Sequence, residues 1–305
     1  MKKLILFATS ILISVACWAQ SHESLNVVVT MPVGTGNDIL ARQWVKKYDE
    51  TFGTNSTIIN KPGADGLIGI KYFLSLKETR DSVPVLWPAI GHIVGYAESD
   101  RAQIVPNIEL SRTPWILIAR KDFPANNFKE YVEYVRANPG RVNQGVSGGS
   151  LWAGMINHVA TNTGTQVNIV NYTNSNHTLD VAKGVLDTAW GITSNVIGTG
   201  IESRVKILAT GSMVPLDGYA DIANGTNPAI GPWYTYQGVF LNASLSTEMQ
   251  DTIYRRFEFL RGLPWARDMA NRNNTFVANK TNNKDFEKNI ASLTKRLKPE
   301  TAPKK

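Results

Sequence analysis

The chain has 305 residues, more than one small core needs and about right for two lobes. Its 32 Lys and Arg against 25 Asp and Glu give a formal net charge of +7. The basic residues are scattered or gathered near the C-terminus rather than striped along one helix, which argues against a nucleic-acid partner. The single cysteine, Cys17, lies in the N-terminal segment, so a chain cleaved after it would hold no disulfide, thiolate metal site or cysteine nucleophile.

That segment reads as a signal peptide over residues 1–19. Lys2 and Lys3 precede an apolar run from Leu4 to Ala16, and Ala19 is a small residue before an expected cleavage at Gln20. The run is too short to span a bilayer as a stable helix, which takes roughly 20 apolar residues. No later stretch approaches that length, so an exported, periplasmic protein is expected. The alternative is a lipoprotein acylated at Cys17, although Ser14-Val15-Ala16 lacks the leucine usual at −3.

Beyond the segment, β-branched runs alternate with stretches of helical period, the pattern of a mostly parallel α/β sheet. Leu25–Met31 reads as a strand, and Ile39, Leu40, Trp44, Val45 and Tyr48 then recur at helical spacing. Ser56–Ile59 is a strand, Leu67–Leu76 a helix, and Pro84–Trp87 and Trp115–Ala119 are strands. A second series follows: helix Phe128–Asn138, strand Val142–Val146, helix Leu151–Asn162, strand Val167–Val170, helix Leu179–Gly184 and strand Val205–Thr210. Trp233–Leu241 is another extended crossing. Helices Thr247–Arg261 and Pro264–Asn271, a short strand Thr275–Ala278 and a helix Asp285–Leu297 complete the chain. The expected fold is periplasmic binding protein type II-like, with two α/β lobes joined by two extended crossings and a ligand cleft between them. Lobe 1 comprises 20–119 plus 237–305, and lobe 2 is an insertion, 120–236, with bending near Arg120 and Tyr236.

In such sheets ligands bind beyond the carboxyl ends of strands, at helix N-termini. The first strand runs into Gly34, Thr35, Gly36, Asn37 and Asp38, directly before a helix. Two glycines allow close backbone approach, and the free N–H groups with the positive helix end form an anion site. A dinucleotide fold would need a third glycine where Ile39 stands, and no Gly-Lys-Ser/Thr phosphate loop occurs. The second strand runs into a similar turn containing Gly63, Ala64, Asp65 and Gly66.

The run from Pro32 to Arg42, with Asn-Lys-Pro-Gly-Ala-x-Gly-x-Ile-Gly from Asn60 to Gly69, resembles the substrate-binding receptors of tripartite tricarboxylate transporters, the Bug-type proteins. Three later stretches match in order: Ala137–Gly140 through Ser150, Val170–Tyr172 through Asp187, and Val205–Thr210. The resemblance implies a two-lobed receptor that delivers a small carboxylate to membrane transporter subunits. It places the carboxylate grip on Gly34 to Asp38 and on Gly63 to Gly66. Ser147, Gly148, Gly149, Ser150, Tyr172 and Thr193 would add to it from the second lobe. Two departures, Tyr172-Thr173-Asn174 and Gly191 at a commonly acidic position, fall on the distal pocket and leave the rest of the ligand open. A monomer without cofactor is expected.

Gly145-Val146-Ser147-Gly148-Gly149 is also the Gly-x-Ser-x-Gly of a nucleophile elbow, so an exported serine hydrolase using Ser147 is the alternative. That fold needs an acid and then a histidine after the serine. The later histidines are His158 and His177, and no Asp or Glu lies between Ser147 and His177. A receptor rather than an enzyme is expected. His92 and His158 lack a partner at metal-ligand spacing, so no metal site is expected, and His177 reads as an exposed loop residue. Trp87, Trp152 and Trp190 fall near strand ends, where core packing is the first expectation and a cleft lining the second.

Overall fold

The computed structural model describes residues 24–95, 101–147, 150–172, 176–278 and 283–297. The expected signal peptide lies outside them. Among the described residues no helix is long and apolar enough to cross a membrane.

The first half is built from β1 (Ser24–Val29), α1 (Gly36–Phe52), β2 (Thr57–Asn60), α2 (Leu67–Ser75), β3 (Ser82–Trp87) and α3 (Ile90–Gly95). Alternation along β1 sends Val27 and Val29 to one face and Val28 to the other. Both faces are covered, so Val27, Val28 and Val29 follow one another without a polar residue between them. On one face α1 packs through Leu40, Ala41, Trp44, Val45 and Tyr48; on the other α2 packs through Ile70 and Phe73. Thr35 caps α1 by accepting from Asp38 N–H, and Gly53 closes it in the left-handed conformation, φ +68°.

The long strand β4 (Ile104–Arg120) leads to α4 (Phe128–Ala137), β5 (Asn143–Ser147), α5 (Ser150–Thr163), β6 (Asn168–Tyr172), α6 (Asn176–Ala182), β7 (Thr188–Ile192) and β8 (Val205–Thr210). The chain returns along β9 (Tyr234–Asn242) and ends with α7 (Thr247–Gly262), α8 (Pro264–Arg272), β10 (Phe276–Val277) and α9 (Asn283–Leu297).

The strands join in the order β2-β1-β3-β9-β4-β7-β5-β6, with β8 and β10 also paired to β4. Each end is a parallel trio, β2-β1-β3 and β6-β5-β7. The expected mostly parallel sheet is corrected in the middle, where β9 and β4 run antiparallel to each other, β9 antiparallel to β3 and β4 antiparallel to β7. The reason is the return of the chain: β9 comes back beside β4 from Tyr234 opposite Pro114 to Asn242 opposite Ile104. Up to Pro114, β4 pairs with β9 and β10; from Trp115 on it pairs with β7 and β8. The changeover therefore falls upstream of Arg120. Arg120 instead closes the far end of β4, holding Asp122 at 2.5 Å and Asp187 at 3.0 Å.

β4 is also longer than the stretch Trp115–Ala119 expected from sequence, while β7 and α3 are elements the apolar pattern did not reveal. A short 3-10 turn, Thr193–Asn195, follows β7.

Candidate functional site

The carboxyl ends of the parallel strands converge on one cavity of about 110 Å³. Thr35, Gly36 and Asn37 come from the turn after β1, Asp65 from the turn after β2, and Ala89 to His92 from the turn after β3. From the other half come Ser147 after β5, Leu151 and Trp152 on α5, His177 on α6, and Ile192 and Asn195 after β7. Trp115, Thr235 and Gln237 line it from the two crossing strands. At about 10–15 Å³ per water-sized probe, the space holds several waters, or one small organic acid.

The first loop is braced from behind. Asp38 is buried, and its carboxylate accepts from Gly34 N–H at 2.9 Å, Arg42 Nε at 3.0 Å and Asn60 Nδ2 at 2.9 Å. Asn60 also donates to Met31 O, tying the ends of β1 and β2 together. Burial opposes ionisation of Asp38, but the bonds from Arg42, Gly34 and Asn60 outweigh it and hold the carboxyl below its ordinary value of 3.8. A depressed folded-state pKa adds stability above the unfolded value, and that stability is lost as pH falls through the folded one. Asp38→Asn is therefore expected to lower the melting temperature at pH 7, with the gap to the native chain closing below about pH 4; thermal unfolding across pH measures it.

The second loop bends differently. Gly63, Ala64, Asp65 and Gly66 all have positive φ, from +48° to +117°, so the backbone makes a left-handed turn in which two side-chain-bearing residues are strained. Gly66 is required by contact as well: a Cβ there would lie 2.3 Å from the His92 ring. His92 Nδ1 and Thr30 Oγ1 lie 2.8 Å apart, and Ala89 N–H donates to the same hydroxyl at 3.1 Å. The tautomer that suits both neighbours carries its proton on Nε2, 3.7 Å from Asp65 Oδ1. Burial pushes the His92 pKa down, against the pull of Asp65, so the ring is neutral at pH 7.

The opposite wall is aromatic. Trp115 and Trp152 stack with centroids 3.9 Å apart at 17°, and His177 meets Trp152 edge-on at 6.3 Å. The expectation of core packing holds for Trp87 and Trp190, which are fully buried and do not line this cavity; Trp152 instead faces it. His177 is corrected too: it is buried on α6, with Nε2 donating to Trp190 O at 3.0 Å. Ser147 and His177 both line the cavity, but this bond directs the imidazole at a carbonyl rather than at the serine. Gly145 is explained by packing, since a Cβ there would lie 2.5 Å from Leu186 Cδ1 and 2.9 Å from His177 Cβ. At Gly191 a Cβ would meet Thr178 Cγ2 at 2.7 Å, so α6 occupies the place an acidic side chain would need.

Of the residues singled out from sequence, Thr35, Gly36, Asn37, Asp65 and Ser147 line the cavity. Gly34, Asp38, Gly63, Ala64 and Gly66 shape the two loops behind it. Ser150 opens α5, and Gly148 and Gly149 lie outside the described residues. Tyr172 lies apart, donating to Asp180 at 2.8 Å, and Thr193 donates to Asn274 O at 2.6 Å. The missed residues, Ala89 to His92, Trp115, Leu151, Asn195, Thr235 and Gln237, share one signal. Most follow a strand's carboxyl end or sit where a crossing strand passes between the halves. The halves touch at the rim: a Cβ on Gly91 would lie 3.2 Å from Leu151 Cβ, and one on Gly36 would lie 3.6 Å from Asn195 Oδ1.

The sequence was compared with known proteins. Residues 40–212 match the tripartite tricarboxylate transporter family receptor. A UPF0065 protein of Bordetella pertussis is 28% identical over 141 residues, which is 43% of this chain and 42% of that protein, so the match spans less than half of either. Among solved structures, R. palustris Rpa4515 with adipate superposes with a TM-score of 0.79 at 18% identity, covering 92% of this chain and 95% of that one. MatC from Rhodopseudomonas palustris with bound malate superposes with a TM-score of 0.75 at 16% identity, covering 90% and 97%. These structural likenesses establish the fold, a periplasmic binding protein architecture. With more than half of its length matching the family, this chain belongs to the tripartite tricarboxylate transporter receptors.

Proposed function

We propose that the protein is a periplasmic receptor, exported by residues 1–19, that captures a small carboxylate between its two lobes and delivers it to a tripartite tricarboxylate-type membrane transporter. The observation that carries this reading is one cavity on which helix N-termini from both halves open, α1 and α3 from one and α5 from the other. The first N–H groups of a helix have no intrahelical partner. Those of Gly36 and Asn37 are therefore available to a carboxylate oxygen, with the positive end of α1 behind them. Ser147, with Gly148, Gly149 and Ser150 that follow it in sequence, would meet the ligand from the other side. The adipate and malate held by the two structural neighbours support an acid of this size.

The strand pairing supports a lobe boundary at 114/115 and 233/234 in place of 119/120 and 236/237. Closure would then pivot where β4 changes partners and β9 begins, bringing Gly91 against Leu151. Calorimetry of the chain from Gln20 against mono-, di- and tricarboxylates, aromatic acids and amino acids is expected to give one clear binder. No binding across that panel, or turnover of an ester that Ser147→Ala abolishes, overturns the reading. Gly91→Val is expected to hold the lobes apart, weakening the ligand at least tenfold while thermal unfolding changes little. Equal losses would mean that Gly91 only packs the fold.

A further inference from the structure

Resting on that reading, the charge pattern of the cavity narrows the ligand. Among the described lining residues there is no Lys or Arg, and Asp65 is the one carboxylate. The cations nearest in the chain are engaged elsewhere: Arg42 holds Asp38 and Asn60, and Lys61 lies over the Tyr72 ring at 4.6 Å. Asp65 faces His92 Nε2 at 3.7 Å, beyond hydrogen-bond reach, and no Lys or Arg among the described residues pairs with its carboxylate.

Two further features concern hydrogen bonding. Asn37 lines the cavity with Nδ2 on Pro88 O at 3.3 Å, while Oδ1 is buried and has no partner. Gln237 Oε1 accepts from Ser111 at 3.3 Å and Thr113 at 3.5 Å. The first half of the cavity thus offers N–H groups at the start of α1 beside a carboxylate and an orphaned carbonyl oxygen. A carboxylate fits the N–H groups; the acceptors beside them require a donor, and a cationic one answers Asp65 best.

We infer that the cavity selects an acid carrying its own ammonium group, of the amino-acid class, over unsubstituted di- and tricarboxylates, with Asp65 setting the preference. The backbone of Asp65, at φ +51°, suits asparagine equally well, so Asp65→Asn removes the charge and keeps the turn.

The test is calorimetry with three matched sets: succinate, malate and aspartate; glutarate, 2-hydroxyglutarate and glutamate; 3-methylbenzoate, 3-(hydroxymethyl)benzoate and 3-(aminomethyl)benzoate. In the set that fits, the amino acid is expected to bind about tenfold or more tightly than the unsubstituted acid, with the hydroxy acid between them. Asp65→Asn should shrink that ratio severalfold by weakening the amino form and strengthening the unsubstituted one. An unsubstituted acid that binds the native protein as tightly as its amino form overturns the inference. So does an Asp65→Asn change that moves both equally. Carboxylate capture itself survives both results and fails only if no acid binds.

Discussion

Replacing Gly66 by alanine is expected to destabilise the protein by about 3 kcal/mol, through a strained backbone together with a steric clash. At φ +86° a side chain sits in the left-handed region, which alone costs roughly 1–2 kcal/mol. The added Cβ would also lie 2.3 Å from His92 Cγ and Nδ1 and 2.5 Å from His92 Cβ. The ring has no easy retreat, because Thr30 holds Nδ1 and Gly66 is itself buried beneath it. Moving the ring would break the bond that ties the end of β1 to α3 and would disturb Asp65, which lines the cavity. Ligand binding should therefore fall with stability. Gly34→Ala is the control: its φ of +82° carries the same backbone cost, but nothing lies within 4 Å of the new Cβ. Thermal unfolding of both variants separates the two contributions. If Gly66→Ala costs no more than Gly34→Ala, the contact with His92 does not hold the second loop in place.

Much of this arrangement is legible in the sequence because it rests on local rules. Leu25 to Val29 announces a doubly covered strand, and the Gly34–Asp38 turn announces where α1 begins, although the cap is Thr35 rather than Asn37 or Asp38. The glycines at 34, 36, 63 and 66 announce loops that approach something closely. What stayed hidden depends on distant partners. β7 is a short run, Thr188 to Ile192, buried throughout most of its length, so it shows no alternation. Its Gly191 carries no side chain to signal burial, and Thr178 of α6 is pressed against it. The first part of β4 carries Asn107, Glu109, Ser111 and Thr113, polar residues that are buried because β9, α7 and α9 cover them. Trp115 reads as core from its apolar neighbours, and only the turn of β4 from one half to the other brings it to the cavity. His177 misreads as a loop residue because its helix is short and its partner is a backbone carbonyl. The strand-end rule applied to β3 as well as to β1 and β2 would have found Ala89 to His92.

The second large effect is expected at Arg112, on β4 just before it leaves the first half. Glu109 is fully buried, and Arg112 meets its carboxylate through Nε at 2.8 Å and Nη2 at 2.6 Å. Asn289 of α9 donates to the other oxygen at 2.8 Å, and Arg261 of α7 donates to the Glu109 backbone carbonyl. The cluster thus pins both helices to the crossing strand. Burial raises the Glu109 pKa above its ordinary 4.5 despite Arg112, Asn289 and Arg261, which pull it down. A folded-state pKa above the unfolded one means that the stabilising contribution is complete below the unfolded value and is lost as pH rises through the folded value. Arg112→Leu removes the strongest opposing charge and leaves a buried carboxylate held by one amide. A loss of about 3–5 kcal/mol is expected at pH 8. The loss should shrink as pH falls through the raised folded-state value, where the glutamate protonates and no longer needs a cation. Adding Glu109→Gln to Arg112→Leu should recover much of the stability at pH 8 and little near pH 4, because the double variant carries no charge to strand. Thermal unfolding of the native chain and both variants across this range decides the matter. A penalty for Arg112→Leu that does not change with pH would assign the role of Arg112 to its stacking over Tyr234 and Tyr236, 5.8 and 5.6 Å away, rather than to the charge on Glu109.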